Sequence, residues 1–236
     1  TDKFYNAYQQ NVFEQVELPH DLFNAIVGYE DIKALLKMMV RSESATHFLF
    51  EGSPSSAKTL FLLELKRIEG AKYILGSNTT LAGLNQLLAT EMPQVLLIDE
   101  IDKIKSIRNL DILHSLMETG ILVTTKYNKH AQMQLNTKVI ASCNDSSGLP
   151  LPLLSKFGEP IYFKPYSKEQ FIEIAIRVLV MREGITEERA EQIAVIVHDR
   201  FDSKDVRQAI RVARMVKEGF SLNNVVTTLL KYSKGR

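Results

Sequence analysis

The sequence predicts an α/β fold: a three-layer parallel sheet flanked by helices, followed by an all-helical C-terminal region. Three observations predict it. Short, largely apolar runs recur at Phe48–Phe50, Val95–Ile98 and Lys138–Ser142, and such runs read as strands buried on both faces of a parallel sheet. Segments of helical period alternate with them, the pattern of βαβ units. After Pro165 the strand patterning stops and only the helical period continues.

Taken in order, residues 1–24 mix polar and aromatic side chains, with Pro19 near the end, and read as a short helix and linker. Residues 25–165 form the α/β domain. It opens with a helix over Asp31–Val40, whose apolar Ile32, Leu35, Leu36 and Met39 fall at helical spacing. Strands at Phe48–Phe50, Lys72–Leu75, Val95–Ile98, Lys138–Ser142 and Ile161–Phe163 alternate with helices at Thr59–Arg67, Leu81–Ala89 and Asn109–Glu118. Gly120 stops the last of these helices. Between that helix and the fourth strand, Ile121–Leu135 carries two β-prone arms around a polar tip, which predicts an inserted hairpin. Residues 166–236 form the helical domain. Ser167, Thr186, Ser203 and Ser221 each precede a periodic run as N-caps, so four helices begin near Lys168, Glu187, Lys204 and Leu222.

The loop between the first strand and the helix behind it carries the chemistry. Gly52-Ser53-Pro54-Ser55-Ser56-Ala57-Lys58-Thr59, continuing into Leu60, follows G-x-x-x-x-G-K-[ST] except that Ala57 replaces the second glycine. Backbone N–H groups of such a loop cradle phosphate oxygens at a helix N-terminus. Lys58 then reaches the β- and γ-phosphates and the Thr59 hydroxyl binds Mg²⁺. Ala57 is small enough to keep the backbone close to phosphate if its φ is negative. The third strand ends in Asp99-Glu100, at the carboxyl edge where open α/β sheets place ligands. Asp99 would hold the Mg²⁺ that Thr59 serves, and Glu100 would orient and polarise the attacking water. A strand followed by a solvated acidic turn is the alternative for that run alone.

Composition narrows the partners. Apolar content is 45%, charged content 24% and net charge +1, so no global field draws the chain to nucleic acid or membrane. Any DNA contact requires a local basic patch. Cys143 is the single cysteine; no internal disulfide is possible, and a reducing, cytoplasmic compartment is expected. No apolar stretch has membrane-span length and no signal-peptide pattern opens the chain. An opening Thr1 in place of methionine is expected of a processed or truncated piece.

Together these motifs resemble the AAA+ ATPases over nearly the whole chain, and locally the MCM replicative helicases. Ile26-Val27-Gly28-Tyr29-Glu30-Asp31-Ile32-Lys33 is similar to the MCM entry motif. Ala57-Lys58 is similar to the MCM phosphate loop, Ile98-Asp99-Glu100-Ile101-Asp102-Lys103 to the acidic motif, Leu116-Met117-Glu118 before a hairpin to the hairpin insertion, and Leu153-Leu154-Ser155-Lys156-Phe157 to the "LSRF" motif. Asp205-Val206-Arg207-Gln208-Ala209-Ile210 looks more like the lid of RuvB-type and MoxR-type members. The resemblance implies a P-loop α/β domain with a helical lid, ATP and Mg²⁺ as ligands, and a homo-oligomeric ring, most often a hexamer. It also implies that Ile26 and Val27 contact the nucleotide and that Asn144 is sensor 1, against the γ-phosphate or lytic water. Asn144–Gly148 is also turn chemistry, and the residues alone leave both readings open. Arg207 matches sensor 2, with Arg200, Arg211 and Arg214 nearby.

Three departures accompany the resemblance. Lys156 stands where the family places its arginine finger, and an ammonium lacks the planar fork of a guanidinium; Arg108 is the alternative. The stretch between Leu88 and Val95 is too short for the extra MCM hairpin, and no winged-helix region follows the lid within these residues. The functions implied are a DNA motor, whose hairpin cations Lys126, Lys129 and His130 track phosphates, or a MoxR-like or clamp-loader-like protein-remodelling ATPase. A nucleotide-gated switch with low turnover is the third.

Overall fold

The computed structural model describes residues 16–54, 56–105, 107–126 and 129–232, with side chains undescribed at 107–109, 123–126 and 129–131. Of residues 1–24, expected as a short helix and linker, residues 1–15 lie outside the described residues, and from Val16 to Tyr29 the chain runs through irregular segments and turns. The regular elements then follow in order: α1 (Glu30–Arg41), β1 (Phe48–Gly52), α2 (Lys58–Leu65), β2 (Ala71–Leu75), α3 (Leu81–Glu91), β3 (Val95–Asp99), α4 (Ile107–Thr119), β4 (Ile121–Lys126), β5 (Lys129–Gln134), β6 (Lys138–Cys143), α5 (Leu151–Phe157), β7 (Ile161–Phe163), and α6 (Lys168–Glu183), α7 (Glu187–Phe201), α8 (Val206–Lys217) and α9 (Leu222–Tyr232).

β2, β3, β6, β1 and β7 form one five-stranded sheet in that order, and every pairing in it is parallel. β3 and β6 are buried along their whole lengths, as their nearly unbroken apolar runs require. Alternation splits the strands between two faces. Leu96 and Ile98 of β3 and Val139 and Ala141 of β6 join a core with Leu84 and Leu88 of α3, Leu113 and Leu116 of α4, and Leu153 and Phe157 of α5. α2 packs against β1, β3 and β6. Phe50 of β1, Phe61 of α2 and Phe163 of β7 form an edge-on aromatic group with centroids 5.1–6.0 Å apart, a favourable quadrupole geometry. The sheet is therefore the middle of three layers.

α4 ends at Gly120, whose N–H donates to Leu116 O at 2.9 Å. The predicted hairpin follows: β4 and β5 pair antiparallel from Ile121↔Gln134 to Lys126↔Lys129, and its tip, Tyr127-Asn128, lies outside the described residues. One element differs from the sequence reading. The "LSRF"-like run is a helix, α5, opened by Pro150 and Pro152 at its first turn, where a missing N–H costs nothing.

The chain divides into two compact units. One comprises Phe23–Tyr29, Pro54–Ala57 and the chain from Lys164 onward; the other holds the sheet and the hairpin. In the helical unit α6 packs on α7 and α8, α7 on α8, and α8 on α9. Its buried side chains include Phe171, Ile174 and Val178 of α6, Ala190, Ile193 and Ala194 of α7, and Ala209 and Val212 of α8. Ser167 and Gln170 form a reciprocal capping box at α6, and the Ser221 hydroxyl accepts from Asn224 N–H at α9. Two expected caps differ. Thr186 occupies the N-cap of α7 without a side-chain hydrogen bond. α8 begins at Val206, capped by Asp205 rather than by Ser203, because the Ser203 hydroxyl instead accepts Asp205's own N–H.

Candidate functional site

Parallel pairing brings the carboxyl ends of β1, β3 and β6 to one edge of the sheet. β6 lies between β3 and β1. Whatever follows β6 therefore stands between the loop after β1 and the acids ending β3.

The loop after β1 starts at Gly52. A Cβ there would lie 2.3 Å from the carbonyl oxygen of Phe163 on β7, so no side chain fits. Ser53 has a buried hydroxyl oxygen with no hydrogen-bond partner. Pro54, Ser56 and Ala57 continue the loop, and Ser55 lies outside the described residues. Ala57 is fully buried and is not among the positive-φ residues of the described chain, which meets the condition on which alanine replaces the second glycine. α2 then starts at Lys58, with Thr59 and Leu60 in its first turn. The Lys58 ammonium is almost fully buried and donates to Gly52 O at 2.6 Å and Ser53 O at 2.8 Å. Burial pushes its pKa down, against the opposing pull of Cys143, Asp99, Asp102 and Glu51.

Asp99 is the last residue of β3 and is 6% exposed. Hydroxyls from the strands on either side hold both of its oxygens. Tyr73 of β2 donates to Oδ2 at 2.9 Å, and Ser142 of β6 donates to Oδ1. Glu100 follows with φ 57° and ψ 51°, a left-handed conformation that disfavours a side chain. Its N–H donates to the same Ser142 hydroxyl at 3.2 Å. Asp102 lies one turn on with its Oδ1 buried and unpartnered. Asn144 is exposed just beyond the end of β6. Cys143, beside it, is buried, and its thiol is pushed up to about 12 by that burial, which keeps it protonated and unreactive.

Lys156 sits in the last turn of α5. Its ammonium contacts Glu118 of α4 at 2.9 Å, and His114 lies 3.7 Å from the same carboxylate. The Lys156 hydrogen bond holds the Glu118 carboxyl below its usual range. The side chain of Arg108 lies outside the described residues. In the helical unit, Ile26 is fully buried and Val27 half-buried, in a turn whose next residues, Gly28 and Tyr29, have φ of 72° and 60°. Arg207, in the first turn of α8, meets the Asp205 carboxylate through Nε at 3.0 and 3.2 Å. Lys126 and Lys129 are register partners closing the described hairpin, and His130 is opposite Thr125.

The structure thus gathers Lys58, Thr59, Asp99, Glu100 and Asn144 on one sheet edge. Tyr73 and Ser142 join them unannounced by the motifs. Their signal was parallel register: Ile98 pairs with Ala141, so Ser142 is the next position beside Asp99, and Tyr73 pairs with Leu97, two residues before Asp99 on the same face.

A phosphate loop entering a helix, with paired acids at the end of a parallel strand one strand removed, defines a P-loop nucleotide-binding fold. The family model for AAA, the ATPase family associated with various cellular activities, matches residues 33–165. That is more than half of the chain, and the chain belongs to this family. A search of curated proteins returned no match. Members of the family generally use ATP with Mg²⁺. The residues present fit that pair. Ser53 offers a buried, orphaned hydroxyl oxygen within the loop, Lys58 a buried ammonium, and Thr59 and Asp99 the hard oxygen donors that Mg²⁺ prefers.

Proposed function

We propose that this AAA family chain is an ATP-hydrolysing ring motor that acts on DNA, of helicase or branch-migration type. The observation that carries the ATPase reading is the placing of Lys58, the Asp99-Glu100 pair and Asn144 on neighbouring strand ends of one sheet. Lys58 binds the β- and γ-phosphates, aided by backbone N–H groups of the loop Gly52–Leu60, in which Pro54 has none to give. Thr59 and Asp99 hold the metal. When bound, Mg²⁺ neutralises charge shared between the β- and γ-phosphates.

Glu100, set in its left-handed turn, orients and polarises the water. Asn144 hydrogen-bonds the γ-phosphate or that water. Arg207 acts as the second sensor, Lys156 as the cation offered to a neighbouring subunit's nucleotide, and Ile26 and Val27 as base-side contacts. Catalytic groups divided between subunits favour a closed homo-oligomer, a hexamer in this reading. The DNA arm rests on the β4–β5 hairpin, whose closing pair is Lys126↔Lys129. Among the described residues no helix is long and apolar enough to cross a membrane.

A protein-remodelling role of MoxR-like or clamp-loader type is the second reading, favoured by the net charge of +1. ATP hydrolysis measured without DNA and with single-stranded, duplex and branched DNA separates the two. Stimulation by DNA is expected of the motor. ATP turnover indifferent to every DNA, with no salt-dependent DNA binding, would favour protein remodelling. No hydrolysis under any condition would refute both.

A further inference from the structure

Glu100 holds a strained conformation, and its surroundings over-determine it. Its N–H is taken by Ser142 of β6. Its carbonyl packs against Gly76, at the end of β2, where a Cβ would lie 2.1 Å from that oxygen, and it accepts Lys103 N–H at 2.9 Å. Strain of this kind persists where neighbours fix it, and it marks functional sites.

The Ser142 hydroxyl has two partners. It accepts from Glu100 N–H and donates to Asp99 Oδ1, so one buried oxygen ties the two acids together. Ser142 is 1% exposed, which leaves no water to substitute for it. Tyr73 has a narrower contact with the pair. Its hydroxyl donates to Asp99 Oδ2, while its ring lies under the ammonium of Lys66, just past the end of α2, 5.5 Å from the centroid. An ionised carboxylate offers about four lone-pair positions. Two donated hydroxyls fix its plane and leave room for a metal.

We propose that Tyr73 and Ser142 are positioning residues with separable duties. Tyr73 aims the Asp99 carboxylate alone. Ser142 aims Asp99 and also locks it to the turn that carries Glu100, so that the metal-holding group and the water-orienting group move as one. The inference rests on the nucleotide reading above.

The test compares wild type, Tyr73→Phe and Ser142→Ala as full chains. Equilibrium binding of ATP is measured in EDTA and across a Mg²⁺ titration, and turnover is measured at saturating Mg²⁺. Removing a group that orients a metal ligand costs 10–100-fold in metal affinity. Both variants are therefore expected to need roughly ten-fold more Mg²⁺ for half-maximal tightening of ATP, with metal-free affinity unchanged. At saturating Mg²⁺ kcat should fall less in Tyr73→Phe than in Ser142→Ala, which should lose roughly ten-fold or more. Tyr73→Phe keeps its ring beside Lys66 and so decides the metal arm even where Ser142→Ala folds poorly. An unchanged Mg²⁺ midpoint, or equal losses of metal-free and Mg²⁺-dependent affinity, would overturn the proposal. Equal falls in kcat would overturn the division of duties. A wild-type chain that binds no ATP would refute the nucleotide reading itself; normal wild-type binding with unaltered variants would refute only this inference.

Discussion

Gly52→Ala is the sharpest perturbation of the phosphate loop. The new Cβ would stand 2.3 Å from the Phe163 carbonyl oxygen and 3.2 Å from its carbon. Both atoms are backbone, so no rotamer change relieves the clash. β7 must retreat by about 1 Å to restore ordinary contact. It is three residues long and pairs with β1 at Phe50↔Ile161, Glu51↔Tyr162 and Gly52↔Phe163, so the retreat moves much of its pairing. Phe163 also holds the ring contacts to Phe50 at 5.1 Å and Phe61 at 5.4 Å. Overpacking costs about 1–3 kcal/mol, and each loosened aromatic pair adds up to about 1 kcal/mol. A destabilisation of about 2–4 kcal/mol lowers Tm by roughly 4–16 °C in a protein of this size. Thermal or urea unfolding reads the effect, and ATP affinity should fall with it. Gly148→Ala, whose Cβ would meet nothing within 4 Å, is the control and should unfold like wild type. Equal midpoints for Gly52→Ala and wild type would refute the packing argument.

Three further outcomes are expected. His47 is buried with Nδ1 accepting from Val139 N–H at 3.1 Å and Nε2 donating to Met117 O at 3.2 Å, and burial holds its pKa below 6.5. The unfolded chain therefore takes up this proton first, so stability falls as pH drops below about 6.5, at a slope of up to about 1.4 kcal/mol per pH unit. Urea titrations at several pH values should show this slope in wild type and its loss in His47→Gln. Lys156→Ala should lower turnover by roughly ten-fold, less than a guanidinium finger contributes, at unchanged ATP affinity. Lys156→Arg should match or exceed wild type, and equal rates for Lys156→Ala and wild type would move the role elsewhere. Replacing Lys126 and Lys129 by Ala should weaken single-stranded DNA binding for all sequences and flatten its log–log salt slope by about 1.4 per hairpin, from about 0.7 per lost phosphate contact. Unchanged DNA affinity would favour the protein-remodelling reading.

The fold was legible where residue pattern and tertiary demand coincide. Val95–Ile98 is apolar throughout because β3 is covered on both faces, and the five strands lie where such runs stand. α5 was not read as a helix because seven residues with two prolines at its start carry too little periodicity. The cap of α8 fell to Asp205 because Ser203 and Asp205 are both cap formers two residues apart, and the choice depends on which N–H the serine takes. Lys58, Thr59, Asp99 and Glu100 were readable from linear spacing. Tyr73 and Ser142 were not: they lie 26 and 43 residues from Asp99, and strand register alone joins them to it. The left-handed turn at Glu100 was equally hidden, since no glycine or asparagine marks it.

In the proposed function Glu100 prepares the lytic water while Lys58, Thr59 and Asp99 hold the nucleotide and its metal. Comparing Mg²⁺-ATP affinity and phosphate release in wild type and Glu100→Gln tests it most directly. The variant should bind ATP as wild type does and lose turnover by about 10²–10⁴-fold, the range of a positioned general base. Hydrolysis by Glu100→Gln at the wild-type rate would contradict the account.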